Sequence, residues 1–188
     1  MTFCLSLILL LAPFFSIPPL AYARGTDTQM QPNQLPAEWL GDWAGTLVIP
    51  NAKTPQEVPM ELHIHPLKNE PGYQWQIVYG AGDKKNVRNY KLIPQSDKPG
   101  SFVMDEVNGI LLDCRLMGNV MFSQFKVGDV LLTSREELRD GKLFTEIITS
   151  RFGSPRVTGD KGKESEVHSY PVQSIQHATL TKQKPAAK

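Results

Sequence analysis

VMDEVNGILLDCRLMGNVMFSQFKVGDVLLTSREELRDGKLFTEIITSR, residues 103–151, decides the fold of this chain. Turn signals punctuate it at Asn108-Gly109, Gly118-Asn119, Gly128-Asp129 and Asp140-Gly141, recurring every 10, 10 and 12 residues. Asn-Gly and Asp-Gly suit type I′ hairpins, which need positive φ at both central positions, and a leading glycine suits type II′. The spacing leaves strands of about eight residues, near the common strand length.

A two-residue turn fixes register, so partners follow by counting outward. The first turn places Val107 opposite Ile110 and Val103 opposite Cys114. The second places Leu116 opposite Met121 and Leu112 opposite Phe125; the third pairs Phe125 with Leu132. The fourth pairs Leu138 with Leu143, Ser134 with Ile147 and Arg135 with Glu146. Opposed residues share a face. One face then collects Ile110, Leu112, Cys114, Leu116, Met121, Ser123, Phe125, Val127, Val130, Leu132, Ser134, Glu136, Leu138, Leu143, Thr145, Ile147, Thr149 and Arg151. The other carries Asp113, Arg115, Gln124, Lys126, Arg135, Glu137, Arg139, Lys142 and Glu146. Aliphatics on one side and charges on the other describe an antiparallel sheet with one wet face.

Upstream, Trp43–Ile49, Val58–Leu67, Tyr73–Tyr79, Val87–Ile93 and Ser101–Val107 read as further strands. Alternation is clear in Met60, Leu62 and Ile64 and in Tyr73, Trp75, Ile77 and Tyr79. About nine strands in chain order make a sheet that curls and closes, which removes its edges. The fold class is all-β, an up-and-down antiparallel barrel of about 8–10 strands. Residues 24–37 read as a flexible lead-in, 38–152 as the barrel, and 153–188 as a polar linker followed by a tail or an extra strand.

Residues 1–23 hold no charged side chain. The apolar run Phe3 to Ile17, then Pro18-Pro19 and Ala21-Tyr22-Ala23 before Arg24, has the layout of a signal peptide cleaved after Ala23. The chain is therefore expected to be secreted or periplasmic, with no membrane span after cleavage. Cys4 leaves with that segment, so Cys114 remains alone and no internal disulfide is possible. With 20 Lys+Arg against 19 Asp+Glu in 188 residues, the net charge of +1 gives no electrostatic case for nucleic acid.

Gly41-Asp42-Trp43 enters the first strand as a Gly-x-Trp. This resembles the opening signature of the lipocalins, a calycin barrel family. The resemblance implies that Trp43 closes one end of the barrel and that a late arginine, Arg151 here, packs across it. A guanidinium over an indole face is a favourable contact in a sheltered place. The family's second signature and its common disulfide have no counterpart in this chain.

No catalytic constellation emerges: Gly-x-Ser-x-Gly and phosphate-binding glycine loops are absent. His63 and His65 share a strand face, with Glu70 downstream, yet Met60, Leu62 and Ile64 take the apolar side. The histidines are expected on the wet face, with no metal and no cofactor. Ser123, Ser134, Glu136, Thr145 and Thr149 interrupt the dry face, and buried polar groups need partners. Glu136 and Thr145 are expected to reach solvent at the barrel mouth. The expected function is non-enzymatic binding of a small hydrophobic ligand by Leu112, Cys114, Met121, Ser123, Phe125, Leu132, Ser134 and Ile147, a mixture typical of ligand cavities. The alternative is a packed barrel acting as a structural or protein-interaction module.

Overall fold

The structure, a computed structural model, describes residues 33–50, 54–96 and 98–184. The expected signal peptide lies outside these residues. After a 3-10 turn at Ala37–Trp39 come β1 (Gly41–Ile49), β2 (Gln56–Pro66), β3 (Tyr73–Tyr79), a second 3-10 turn at Gly82–Lys84, β4 (Asn86–Pro94), β5 (Ser101–Asp105) and β6 (Leu111–Met117). They are followed by β7 (Val120–Val127), β8 (Val130–Arg139), β9 (Lys142–Arg151), β10 (Arg156–Thr158), β11 (Val167–Ser169) and β12 (Val172–Lys182). Ten of these strands form a closed antiparallel barrel in the order β1-β12-β9-β8-β7-β6-β5-β4-β3-β2. The fold is the all-β barrel that the hairpin spacing implies.

The last three turns set the expected register. Leu116 pairs with Met121, Phe125 with Leu132, Leu138 with Leu143 and Arg135 with Glu146. Asp140 and Gly141 both have positive φ, 52° and 69°, as a type I′ turn requires.

The first turn differs. Phe102, not Val103, opposes Cys114, and Asp105 opposes Leu111. Asp105 Oδ1 accepts from Val107 N at 2.7 Å and Asn108 Oδ1 from Ile110 N at 3.0 Å, while Glu106 N donates to Ile110 O. These side-chain bonds add a residue to the loop and put Val107 at φ 60°. The one-residue slip turns Phe102 and Met104 inward beside Cys114 and Leu112.

Of the two readings of the C-terminal segment, the extra strand is the one formed: Val172–Lys182 is the tenth barrel strand, between β9 and β1, and the barrel extends beyond residue 152. Within the polar segment after it, Arg156–Thr158 pairs with Val167–Ser169 as a separate hairpin. At the other end, Leu35 is not part of a free lead-in. It is 5% exposed, and its backbone N donates to Tyr73 Oη at 3.0 Å.

The barrel has a floor. Trp39, Trp43, Ile64, Trp75, Leu92, Phe102, Leu116, Met121, Leu143 and Leu180 are all buried at one end of the barrel, contributed alternately by the starts and ends of successive antiparallel strands and by the turn before β1. Trp43 Nε1 donates to Trp39 O at 2.9 Å, and the Trp39 and Trp75 rings meet at 6.4 Å between centroids. Large aromatic area at one end supplies much of the hydrophobic driving force.

Candidate functional site

The opposite end is open. Ile49, Val58, Met104, Leu112, Phe125, Leu132, Ser134 and Ile147 face inward by register yet are only half-buried. Leu132, Ser134 and Ile147 sit in the continuously hydrogen-bonded β8–β9 part of the wall, where an inward side chain meets solvent through an open end, whereas Leu112 and Phe125 lie where the β6–β7 ladder has ended. Ile147 lies four residues in from Arg151, about 13 Å along a strand at ~3.3 Å per residue. Val107, Ile110, Leu111, Val127 and Val172 are exposed around this rim. Ile110 and Val127 therefore depart from the expected dry face, because they sit where the barrel opens.

All eight residues expected to line a ligand site point into the lumen. Cys114, Met121 and Ser123 are buried, while Leu112, Phe125, Leu132, Ser134 and Ile147 are half-buried. The expected Leu112–Phe125 pairing does not form: the β6–β7 ladder stops at Cys114 opposite Ser123, where Ser123 Oγ donates to Asp113 O at 2.8 Å. Burial pushes the Cys114 thiol up to about 11.

Glu136 points inward between Met121 and Thr145. It lies below the mouth rather than at it, because β8 runs from the rim at Val130 down to the floor at Leu138, and it is half-buried there. Thr145 is 6% exposed. Desolvation pushes the Glu136 carboxyl up to about 8, against the opposing effects of the Thr145 hydrogen bond and the Arg135 charge. Nearer the rim, Arg88 lies 5.6 Å from the Tyr79 ring centroid, with Nη1 3.4 Å from Tyr90 Oη. Burial raises the Tyr79 pKa, with Arg88 opposing. The sequence signals for this group were weak, since no turn fixes β3 and β4 against β8.

Arg151 does not cover Trp43. It pairs with Val130 at the rim and is exposed, at the far end of β9 from Lys142, which opposes Thr181 beside the floor. With β12 inserted, the residue over Trp43 is Lys182, its Nζ 5.1 Å from the ring centroid.

Outside the wall, His63 and His65 take the wet face as expected, but their carboxylate partner is not Glu70, which pairs with Lys91 at 2.6 Å. It is Asp42, directly opposite His63 in the β1–β2 ladder. Asp42 Oδ1 lies 2.7 Å from His63 Nδ1 and 2.8 Å from His65 Nε2. Hydrogen bonds from His63 and then His65 hold the Asp42 pKa below its usual value. Glu61 Oε2 is 3.3 Å from His63 Nε2, and Glu61 Oε1 accepts from Lys85 Nζ at 3.0 Å.

No family model matches the chain. No curated protein matches it either. Among solved structures, it is similar to a DUF3598-family protein of unknown function from Nostoc punctiforme (TM-score 0.54, 12% identity, 81% of this chain aligned over 51% of that one). The chain thus spans about half the length of that protein. It is also similar to Rv2717c from M. tuberculosis (TM-score 0.50, 16% identity, 79% of this chain and 94% of that one). At such identities the likeness shows the fold alone, a closed barrel compatible with calycin-like architecture.

Proposed function

We propose that this protein is an exported, lipocalin-like barrel that holds a small, largely apolar molecule in the upper lumen without transforming it. The observation that carries this reading is the partial exposure of inward-facing Leu132 and Ile147 in a barrel whose other end is plugged by tryptophans. The exposed apolar rim fits an entrance for such a ligand. A Glu136 carboxyl that is mostly protonated near neutral pH would present a neutral hydrogen-bonding group rather than a charge.

Titration with the neutral fluorescent amine N-phenyl-1-naphthylamine tests it. Saturable binding of one dye per chain is expected, weakened at least about tenfold (a loss of about 1.4 kcal/mol) in lumen-filling Ile147→Trp. Unsaturable binding, or binding unchanged by both Ile147→Trp and Leu132→Trp, refutes it. Export is tested by N-terminal sequencing of protein processed during secretion, with Arg24 as the expected first residue.

A packed barrel acting as an interaction module is favoured by one observation. Hollows of about 610 Å³ and 520 Å³ lie against the wall, the first lined by outward-facing Asp113, Arg115 and Gln124 together with Cys114 and Ser123, the second by Gln74, Asn89 and Lys91 with Tyr90. Absence of saturable dye binding favours that second reading.

A further inference from the structure

The outer face of β1 and β2 carries chemistry that lumen binding does not use. We propose that Asp42, His63 and His65 form a site for one divalent transition-metal ion, with zinc as the reference case. One donor atom from each residue lies within 4.8 Å of the others. Zinc held tetrahedrally at 2.0–2.1 Å needs donors about 3.3 Å apart; each imidazole, now 2.7 or 2.8 Å from Asp42 Oδ1, must move back from it by about half an ångström, and the two imidazole donors, within 4.8 Å of one another, must settle at the same spacing.

Three features separate this cluster from an ordinary surface ion pair. The backbone beneath it is anchored: Asp42 precedes Trp43, and His63 lies between Leu62 and Ile64, core residues at most 1% exposed. His63 is bound at both ring nitrogens, with Glu61 behind Nε2 and Lys85 holding the other Glu61 oxygen. A carboxylate behind a ligating imidazole fixes the ring's tautomer and direction and raises its basicity. The donor set is also selective, because two imidazoles and one carboxylate suit zinc and its neighbours, whereas calcium and magnesium prefer all-oxygen shells. The Asp42 and His65 side chains are 46% and 45% exposed, so the remaining coordination position opens to water.

The test is calorimetric titration of the full chain, stripped with EDTA and dialysed, with zinc chloride alone. One ion per chain is expected. His63→Ala and His65→Ala should each abolish that event, and Glu61→Gln should weaken it about tenfold. His168→Ala combined with His177→Ala should leave it unchanged. Absence of stoichiometric binding in the parent, or its persistence in the His63→Ala, His65→Ala double variant, overturns the proposal. Circular dichroism checks folding. If either alanine variant fails to fold, Asp42→Asn, which keeps the side-chain shape, takes its place: loss of binding supports the site and retention refutes it.

Discussion

Lys182 Nζ lies 5.1 Å from the centroid of the Trp43 ring, and the two residues are register partners across β12 and β1. The same ammonium donates to Glu38 O at 3.0 Å, which ties the last barrel strand to the turn before the first. A cation over an indole at an exposed site contributes about 0.5–1 kcal/mol. Lys182→Ala is expected to lower unfolding stability by about that amount, and Arg151→Ala to change it by less than about 0.5 kcal/mol. Urea unfolding of both variants beside the parent measures this; an Arg151→Ala effect exceeding that of Lys182→Ala contradicts it.

Glu136 makes stability fall as pH rises. Its folded pKa, pushed up to about 8, exceeds the ordinary value of 4.5. Between those values the folded state keeps a proton that the unfolded chain has released. The favourable contribution is complete below pH 4.5 and is lost progressively toward pH 8. Glu136→Gln removes this dependence, so the variant should gain on the parent as pH rises from 5 to 8.5, by an amount on the order of a few kcal/mol. Parallel pH-dependent denaturation curves for parent and variant would contradict the assignment.

Gly45 faces inward where β1 and β12 approach closely. A Cβ there would lie 2.3 Å from Thr179 O and 3.0 Å from Leu180 Cδ2. Because the nearest obstacle is backbone, the contact cannot be relieved by a rotamer change. Gly45→Ala is expected to cost about 1–3 kcal/mol, as other overpacked sites do, read as a lower urea midpoint with unchanged slope. An unaltered midpoint would mean that the two strands are not so closely apposed.

Cys114 should be chemically inert in the folded protein. It is 6% exposed, and burial pushes its thiol up to about 11, so little thiolate exists at pH 8. Peptide mapping after treatment with a thiol-reactive reagent should find Cys114 unlabelled under native conditions and labelled in denaturant. Rapid native labelling would show that the reagent reaches Cys114, through the lumen or through the hollow of about 610 Å³ that Cys114 also lines.

The dyad alternation from Leu111 to Ser150 was readable because each turn there is two residues long and carries its own glycine. Chain chemistry alone then fixes which side chains face each other. The Asn108-Gly109 turn misled by one residue, since Asp105 and Asn108 bond to the backbone and enlarge the loop. The inward direction of Leu132, Ser134 and Ile147 was legible; their partial exposure was not, because alternation reports the face of a strand and not which end of the lumen is open. His63 and His65 were visible as a pair. Asp42 was hidden because the sequence between the first two strands offers no two-residue turn signal from which to count their register.

Local chemistry therefore determined the hairpins, their faces and the inward position of Glu136 and Thr145, all within a few residues of a turn. Only the tertiary structure decided the closure, in which Thr181 Oγ1 reaches Ala44 O across 137 residues and Lys182 takes the place over Trp43 expected of Arg151. It likewise decided that β1 lies beside β2 with Asp42 against His63 and His65. Such pairings are selected by burial of the whole floor cluster and by removal of sheet edges, forces that act on the assembled barrel and leave no local signature in the chain.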